Sequence, residues 1–351
     1  MSLSHAMTVR LLLLLGCALV AQPAAARTVI DSAGRVVELP ERIETVFAAG
    51  PPASILVYVV KPDVLTGWPR ALRPEEVPYI AEPFRDLPET GRLTGRGGDA
   101  NLERVLQIEP DLIIDFGSVR DTYIDLADRV QRQTGIPYLL IDGRFEATPD
   151  ALRLVGEVLG VPERGEALAR DVEELFARVD GILAATLESE RPTVYLARGP
   201  DGLETGLKGS INTEIIERAG GRNVADPGDG RRGLVRASIE QVMVADPEII
   251  VTWDSHFYQR ARLDPLWAGI EAVRTDRLYL APTVPFGWID RPPSLNRLMG
   301  LRWMAGLLYP EAWGEDLREE ARAFYQLYYH VDLADAELDR LLEWSKGRPP
   351  E

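Results

Sequence analysis

Cysteine is almost absent from this 351-residue chain, and histidine is scarce. The one cysteine is Cys17, inside an N-terminal apolar segment, so a chain cleaved after Ala26 would have none. Such a chain can form no disulfide, no thiolate metal site and no cysteine nucleophile. It would keep only His256 and His330, whereas sites for bare zinc or manganese ions usually need two or three histidines. Direct binding of a bare divalent ion is therefore not expected.

An excess of positive charge is also lacking. The sequence has 39 Lys and Arg residues against 55 Asp and Glu, a formal net charge of −16, which argues against nucleic acid as a partner. Common enzyme signatures are missing as well, since there is no G-x-S-x-G elbow, no phosphate-binding loop and no H-E-x-x-H helix. Two alternative functions are kept at this stage: a metal-chelatase-like enzyme and a lipid-anchored sensor lobe.

The N-terminus has the features of a secretory signal. Arg10 precedes the apolar run from Leu11 to Ala21, and small residues ending at Ala26 follow. The run is too short to span a bilayer, which takes about 20 apolar residues. Cleavage after Ala26 would release a chain beginning at Arg27, in a bacterial periplasm. The alternative is lipoprotein processing at Cys17, because Leu14-Leu-Gly-Cys17 is similar to a lipobox.

Two segments of the sequence resemble one another. Residues 101–118 read NLERVLQIEPDLIIDFGS, and residues 238–255 read SIEQVMVADPEIIVTWDS. Each has a helix N-cap, a short helix, a proline that ends it, an apolar strand, and a loop with an aromatic residue and a serine. The aligned positions include Glu103 with Glu240, Pro110 with Pro247, Ile113 with Ile250, Phe116 with Trp253 and Ser118 with Ser255. The repeat predicts two similar lobes, with a ligand held between them beyond the carboxyl ends of the strands.

The remaining patterns complete a fold prediction. A β-hairpin is predicted over 28–39, buried strands over 45–49, 136–141 and 193–197, and an extended excursion over 69–93. A helix starting at Thr148 and a second with apolar residues from Leu168 to Leu187, about 38 Å long, follow the first lobe. The predicted class is α/β: two similar lobes with parallel-type sheets flanked by helices, joined by one long α-helix, with a ligand cleft between the lobes. The predicted boundaries are 1–26 for the signal peptide, 28–147 for the N-terminal lobe, 148–190 for the connecting helices and 191–346 for the C-terminal lobe.

The order of these features along the chain resembles that of a known protein family. The hairpin, Asn101-Leu-Glu with Glu109-Pro-Asp-Leu-Ile-Ile, the helical connector and Ser238-Ile-Glu-Gln are similar to periplasmic binding proteins for iron complexes and vitamin B12. Those proteins deliver substrate to ABC importers. The stretches 195–205 and 285–296 resemble the branch that contains the molybdate binder. The resemblance covers residues 28–345 and implies two lobes joined by one helix.

The resemblance also implies partners, namely an importer permease and its ATPase. One glutamate on each lobe is implied to dock against permease arginines, and the matching positions are Glu103 and Glu240. The residues themselves allow a plainer interpretation, because a carboxylate in a first helical turn is favoured by the helix dipole.

Candidate ligand-binding residues end the predicted strands or lie in glycine-containing loops. Aromatic rings that stack on apolar faces and arginines that pair with carboxylates or oxyanions suit a flat or bulky anionic chelate. The candidates are Trp68, Arg70, Phe116, Ser118, Arg144, Arg198, Trp253, His256, Phe286 and Trp288. Most of these candidates also have a plainer interpretation. The aromatic residues could pack in the core, Arg144 and Arg198 could be solvated in loops, and His256 could lie on the surface.

The identity of the cargo stays open at this stage. An iron chelate of the siderophore type is favoured, with molybdate or tungstate second and haem or cobalamin after them. No resident cofactor and no metal site belonging to the protein are predicted, because the metal would arrive as part of the cargo. The protein is expected to be a monomer.

Overall fold

Two separate parallel β-sheets organise the chain. The computed structural model describes residues 27–95 and 102–345, so the predicted signal segment with Cys17, and the Asn101 cap, lie outside the described residues. The strands are β1 (Arg27–Ile30), β2 (Val36–Leu39), β3 (Val46–Ala48), β4 (Leu112–Gly117), β5 (Tyr138–Asp142), β6 (Thr193–Ala197), β7 (Glu204–Gly206), β8 (Arg222–Asn223), β9 (Leu234–Arg236), β10 (Ile249–Thr252) and β11 (Leu278–Leu280).

Helices flank both sheets, and short 3₁₀ turns fill the connections. The helices are α1 (Pro51–Val60), α2 (Leu102–Ile108), α3 (Asp121–Thr134), α4 (Thr148–Val158), α5 (Pro162–Ala184), α6 (Glu214–Arg218), α7 (Ile239–Ala245), α8 (Ser255–Ala261), α9 (Pro265–Ala268), α10 (Glu271–Arg274), α11 (Arg297–Leu308), α12 (Pro310–Trp313), α13 (Leu317–Tyr329) and α14 (Asp335–Ser345). The 3₁₀ turns are Pro62–Val64, Val77–Tyr79, Glu82–Phe84, Phe145–Ala147 and Glu188–Glu190.

The first sheet has the order β3-β4-β5 and is entirely parallel. Its central strand is buried on both faces, because Leu112 and Ile114 belong to the main core while Ile113 belongs to a second cluster on the opposite face. This explains the continuous apolar run, since a parallel strand covered by helices on both sides needs no polar face. The predicted hairpin is confirmed as the antiparallel pair β1–β2.

The second sheet has the order β11-β10-β6-β8 and is built in the same way. Ile249 and Val251 of β10 face the main core, and Ile250 faces a separate cluster. A small antiparallel pair, β7–β9, stands beside this sheet. The α/β class with parallel sheets flanked by helices is therefore confirmed.

The repeat has a structural cause that the sequence alone did not reveal. Glu109 and Asp246, each just before the proline, end their helices with positive φ angles of 48° and 36°. The acidic residue after each proline then holds the start of the neighbouring strand. Asp111 accepts hydrogen bonds from the backbone N–H of Thr45 (2.8 Å) and from its hydroxyl (2.9 Å). Glu248 does the same for Thr193, at 2.7 and 2.9 Å.

The connection between the sheets consists of two helices packed against each other. α4 and α5 cross closely at a pair of glycines, where a Cβ on Gly156 would lie only 2.8 Å from the Cα of Gly165. α5 has 23 residues, about 34 Å at 1.5 Å per residue, and ends at Ala184. The prediction that its apolar face reaches Leu187 is wrong, because that side chain is 65% exposed beyond the helix end.

The last helices of the chain return to the first lobe. α13 packs on α1, and the Tyr58 hydroxyl donates to the carbonyl of Tyr329. The excursion over 69–93 contains 3₁₀ turns and joins the same region, since the Tyr79 hydroxyl donates to the carbonyl of Glu337 at 3.1 Å. The boundaries of the lobes given above stay a prediction. The main core extends from the hairpin to α14 and is continuous across the residues described.

Candidate ligand cleft and docking face

Residues 290–297 join the carboxyl end of the first sheet to the loops after β6 and β10, which Asp290 contacts through Arg198 and Trp253. The Gly143 carbonyl, just after β5, accepts a hydrogen bond from Arg297 (2.9 Å), and the Pro52 carbonyl, after β3, accepts one from the Ser294 hydroxyl (2.8 Å). Ligands of parallel α/β sheets bind outside these strand ends. The candidate cleft therefore lies where the loops after β3, β4 and β5 face the loops after β6 and β10.

A buried carboxylate organises the C-terminal side of the cleft. Asp290 is 3% exposed and accepts hydrogen bonds from the Trp253 indole N–H (2.9 Å) and the Asn212 amide (3.0 Å). It also forms an ion pair with Arg198 (2.9 Å), which in turn pairs with Glu204. Burial raises the pKa of Asp290, while Arg198 is the largest of the influences that lower it. This hub fixes the orientation of the Trp253 ring.

Two arginines of the C-terminal half of the chain lie beside the same indole. The guanidinium carbon of Arg291 lies 4.5 Å from the Trp253 ring centroid, and that of Arg198 lies 5.6 Å from it. Burial lowers the pKa of Arg291, and the charges of Arg73 and Arg70 lower it further. These two arginines belong to the excursion after β3, so charges from the first half of the chain act on Arg291.

The charges of this cluster are unevenly paired. Arg70 and Arg73 share the buried carboxylate of Glu76, at 2.6 and 2.8 Å, and Arg73 also pairs with Glu75 at 3.3 Å. Arg291 is partly covered and partly in solvent, and it has no carboxylate within 4.0 Å among the described residues. Asp290 and Asp254 favour its charge from a greater distance, yet the pKa of Arg291 is still lowered. An anion placed beside Arg291 would relieve this repulsion.

Four of the aromatic candidates lie in the core. Trp68, Phe116 and Trp288 are 2%, 2% and 1% exposed, and Phe286 is 8% exposed. The Trp68 indole N–H donates to the carbonyl of Phe84 at 2.8 Å, and the Phe286 ring lies 5.9 Å from the Trp68 ring. The expectation that these rings line the cleft is corrected, because their large apolar surfaces are buried in the main core. Trp253 is the predicted aromatic that stays partly exposed.

The other candidates lie at strand ends or on the surface. Ser118, half-buried after β4, accepts a hydrogen bond from Arg120 at 3.0 Å. Arg144, after β5, pairs with Asp142 at 2.6 Å and keeps 71% of its side chain exposed. His256 is exposed on α8. Within residues 27–95 and 102–345, no group of three or more His, Cys, Asp or Glu side chains is placed to hold a metal ion.

Sequence reasoning missed the residues that complete the cluster. Arg73, Asp290 and Arg291 were not selected, although Asp290 and Arg291 lie in the 285–296 stretch that carried the family resemblance. A signal was available: Asp-Arg-Pro-Pro places two opposite charges in a rigid turn after an aromatic segment. Two other cavities, of about 230 and 320 Å³, lie away from these strand ends, one beside Asp171 and Tyr328 and the other between residues 77–85 and 331–337.

The two glutamates of the repeat lie on corresponding helices. Glu103 is exposed in the first turn of α2, and Glu240 is exposed in the first turn of α7. Ser238 caps α7, accepting from the backbone N–H of Gln241 at 3.3 Å while the Gln241 side chain accepts from the N–H of Ser238 at 2.8 Å. Hydrogen bonds from its own backbone N–H and from Ser238 lower the pKa of Glu240, so it is a carboxylate at neutral pH.

The sequence matches the family described as periplasmic binding protein over residues 58–285, well over half of the chain. The chain belongs to the periplasmic binding protein family. An ABC transporter solute binding protein from Sulfurospirillum deleyianum is 30% identical, with a TM-score of 0.81, over 90% of this chain and 99% of that one. A molybdate periplasmic binding protein of Haemophilus influenzae, solved with molybdate bound, is 21% identical and shares the fold, with a TM-score of 0.71 over 88% of this chain and 99% of that one.

A cobalamin-binding protein of Halobacterium salinarum is 30% identical over 198 residues, which is 54% of this chain and 50% of the relative. The chain thus spans about half the length of that relative. Membership in the periplasmic binding protein family makes the chain an extracytoplasmic substrate-binding protein of the ABC transporter class, and not an enzyme. The family recognition made from the sequence is confirmed. No helix in the described part of the chain combines the length and apolar character needed to cross a bilayer.

Proposed function

We propose that this periplasmic binding protein captures an anionic metal complex, in the first place an iron chelate of the siderophore type. The observation that carries the proposal is Arg291, a cation without a close carboxylate among the described residues, stacked on the partly exposed Trp253. The charges of Arg70 and Arg73, in the excursion after β3, act on the same guanidinium. A ligand with several negative oxygen atoms matches this group of charges.

The side chains at this site favour a chelate that has a flat apolar face and negatively charged oxygen atoms at its edge. A guanidinium stacked on an indole keeps its N–H groups directed outward in the plane, where they can pair with a carboxylate or phenolate. The exposed part of the Trp253 ring offers apolar contact to the body of the ligand. Asp290 supports this arrangement, because it holds the Trp253 indole N–H and the Arg198 guanidinium in place. Ser118 and Arg144 are peripheral candidates at the ends of β4 and β5.

Molybdate or tungstate is the second candidate. The molybdate-bound neighbour from Haemophilus influenzae shares the fold, and an oxyanion would use the same arginines without needing the ring. Haem and cobalamin stay further possibilities, the latter because of the cobalamin-binding relative. His256, exposed in the first turn of α8, is the candidate ligand to the metal of such a cargo.

Delivery and export complete the proposal. Glu103 and Glu240 would each meet a permease arginine when the loaded protein docks. The mature protein would begin at Arg27 and act as a periplasmic monomer, with a lipid-anchored form at Cys17 as the alternative. Intact mass of the protein purified from its native membrane fraction and periplasm separates these two forms.

Native mass spectrometry with elemental analysis of periplasm-purified protein tests the cargo. Iron together with an organic mass supports the chelate, molybdenum without one supports the second candidate, and neither iron nor molybdenum contradicts both. Titration of the stripped protein with ferric chelates, molybdate, haem and cobalamin then gives affinities.

The variant Arg291→Ala should weaken binding of the preferred ligand by about 10- to 100-fold, as expected for losing a charge-assisted hydrogen bond. Arg262→Ala is the matched control, because Arg262 also stacks on a ring of the same lobe, 4.3 Å from Tyr258, and pairs with Asp276. Equal affinities for the two variants would place the ligand elsewhere.

A further inference from the structure

A cavity outside the ligand cleft is lined by residues of α5, α11 and α13 and of the turn before α13. Its volume is about 230 Å³, far above the roughly 10–15 Å³ needed to hold one water molecule. Pockets for drug-sized ligands have volumes of about 300–1,000 Å³. A cavity of this size therefore suits a ligand with only a few heavy atoms. We call it here the α5–α13 cavity.

Both arginines of the α5–α13 cavity already have a counter-charge. Arg302 pairs with Asp171 at 2.9 Å, and the Tyr328 hydroxyl donates to the same carboxylate at 2.8 Å. Arg178 pairs with Glu315 at 2.8 Å. The two guanidiniums are thus neutralised by protein carboxylates, which argues against an anionic ligand in this cavity.

A third carboxylate of the cavity is not paired in this way. Glu320 is half-buried and has no cation within 4.0 Å in the part of the chain that the structure describes. Its Oε2 atom accepts a hydrogen bond from the Trp313 indole N–H at 3.0 Å. Burial raises the pKa of Glu320, while that hydrogen bond and the charges of Arg302 and Arg178 lower it. A cation in the cavity would favour the ionised form of this group.

Apolar side chains of α13 form another part of the wall. Ala323, Phe324 and Leu327 follow Glu320 by three, four and seven positions, so all four residues share one face of the helix. The Phe324 ring is held by stacking on Tyr328, with the two centroids 4.5 Å apart. The cavity therefore offers a carboxylate and an apolar surface side by side.

We infer that the α5–α13 cavity is a second small-molecule site, which takes a small organic cation with an ammonium group and a short apolar chain. The ammonium donates to Glu320, and the chain lies against Phe324 and Leu327. A bare metal ion is a poorer match, because the three carboxylates of the cavity do not form a metal-binding group among the described residues. The inference does not depend on the proposed cargo, since no residue of the cavity belongs to the cleft.

The three helices that line the cavity have different places in the fold. α5 is part of the connection between the sheets, α11 begins with Arg297 at the cleft, and α13 packs on α1 beside the first sheet. A ligand that binds the folded protein at this junction stabilises it against unfolding.

Isothermal titration calorimetry of the protein purified from the periplasm tests the site, with n-butylammonium chloride as the probe. We expect a dissociation constant of about 1–10 mM, as suits a ligand of so few atoms. Sodium chloride at the same concentrations controls for ionic strength. The neutral analogue 1-butanol should bind at least about tenfold more weakly, because it lacks the charge that pairs with the carboxylate.

The variant Glu320→Gln should weaken butylammonium binding by at least about tenfold, since the charge-assisted hydrogen bond is lost while the amide oxygen can still accept from Trp313. The matched control is Glu319→Gln, the neighbouring exposed carboxylate of α13, which should change the affinity by less than about twofold. Ala323→Phe adds a ring at the cavity without removing a charge and should abolish binding. Thermal unfolding verifies that each variant is folded.

Three results would overturn the inference. Equal affinities of Glu320→Gln and the wild type would place the cation elsewhere, and equal affinities for 1-butanol and butylammonium would make the cavity a purely apolar site. Heat signals no larger than those of sodium chloride would mean that the cavity takes no cation of this class. None of these results bears on the cargo, which the ferric chelates and Arg291→Ala test separately.

Discussion

Replacing Arg297 with methionine should destabilise the protein and loosen the contact between the lobes. The side chain is 1% exposed and donates hydrogen bonds to the carbonyls of Gly143 (2.9 Å), Ile211 (3.0 Å) and Ser294 (3.2 Å). Gly143 belongs to the first sheet's loops, whereas Ile211 and Ser294 follow the connector. One guanidinium therefore joins both sides of the cleft.

A carboxylate completes this contact. Glu214 lies 3.5 Å from the Arg297 guanidinium and also accepts a hydrogen bond from the backbone N–H of Phe145 at 2.6 Å. The Arg297 guanidinium carbon lies 4.8 Å from the Phe145 ring centroid. Burial lowers the pKa of Arg297 to about 10, and Glu214 opposes this more than any other group. The arginine remains charged at neutral pH.

The magnitude follows from what the substitution leaves behind. Methionine fills much of the volume but donates no hydrogen bond, so three carbonyls lose a partner and Glu214 loses its counter-charge. Removing one member of a buried ion pair costs about 3–5 kcal/mol, and the separate penalties are not additive. We therefore expect Arg297→Met to reduce the free energy of unfolding by about 3–5 kcal/mol.

Urea unfolding at neutral pH, followed by circular dichroism, measures this loss. Glu214→Gln is the matched control, because its amide oxygen can still accept from Phe145 while the charge is removed. The double variant should be less destabilised than the sum of the two singles, by about 1–3 kcal/mol. A loss below about 1 kcal/mol for Arg297→Met would refute the reasoning, since the buried cation would then be dispensable.

X-ray scattering connects the same residue to function. In the wild type, the radius of gyration should change by only about an ångström or less on ligand binding, because helices and buried charges hold the lobes. Arg297→Met should increase that change. A change of several ångströms in the wild type would contradict the stiff connection.

Two further predictions concern carboxylates. Burial raises the pKa of Asp115 to about 6, above its ordinary value of 3.8, so its ionisation destabilises the fold as pH rises between these values. Asp115→Asn should therefore increase the free energy of unfolding at pH 7.5 by about 2–3 kcal/mol, and urea unfolding should show the gain disappearing near pH 4; an equal gain at both pH values would contradict this. Glu103→Ala with Glu240→Ala should leave ligand affinity and thermal unfolding unchanged but reduce transport by the reconstituted importer more than either single change, and normal transport would make both residues simple helix-start carboxylates.

Most of the fold was predictable because its signals are local. The hairpin and β6 follow from short patterns of alternation, α4 follows from a proline in its first turn, and the apolar face of α5 follows from Leu168, Val172 and Val179 at helical spacing. The end of α5 was misplaced, because Leu187 continues the pattern although the chain has already turned. Periodicity shows which residues could share a face, but tertiary packing decides where a helix stops.

The repeat was predictable as a pattern, but its cause was not. The aligned prolines and carboxylates indicated two equivalent units, and the structure links them to a shared device in which Asp111 and Glu248 hold Thr45 and Thr193. Those threonines lie far from the repeat in sequence. Only the parallel pairing of the strands brings them next to the acidic residues.

The ligand cleft shows where sequence reasoning loses its basis. Trp68, Trp288 and Trp253 all lie near strand ends or glycines, and nothing local separates them. The separation comes from hydrogen-bond partners: Trp68 donates to a backbone carbonyl in the core, whereas Trp253 donates to a buried carboxylate at the cleft. Core indoles satisfy their N–H within the fold and add only apolar area. An indole held by Asp290 and covered by Arg291 is fixed in place while part of its face stays accessible. A site preorganised in this way can bind its ligand without wide closure of the lobes. Wide closure would break the buried contacts of Arg297, which join the two sides of the cleft.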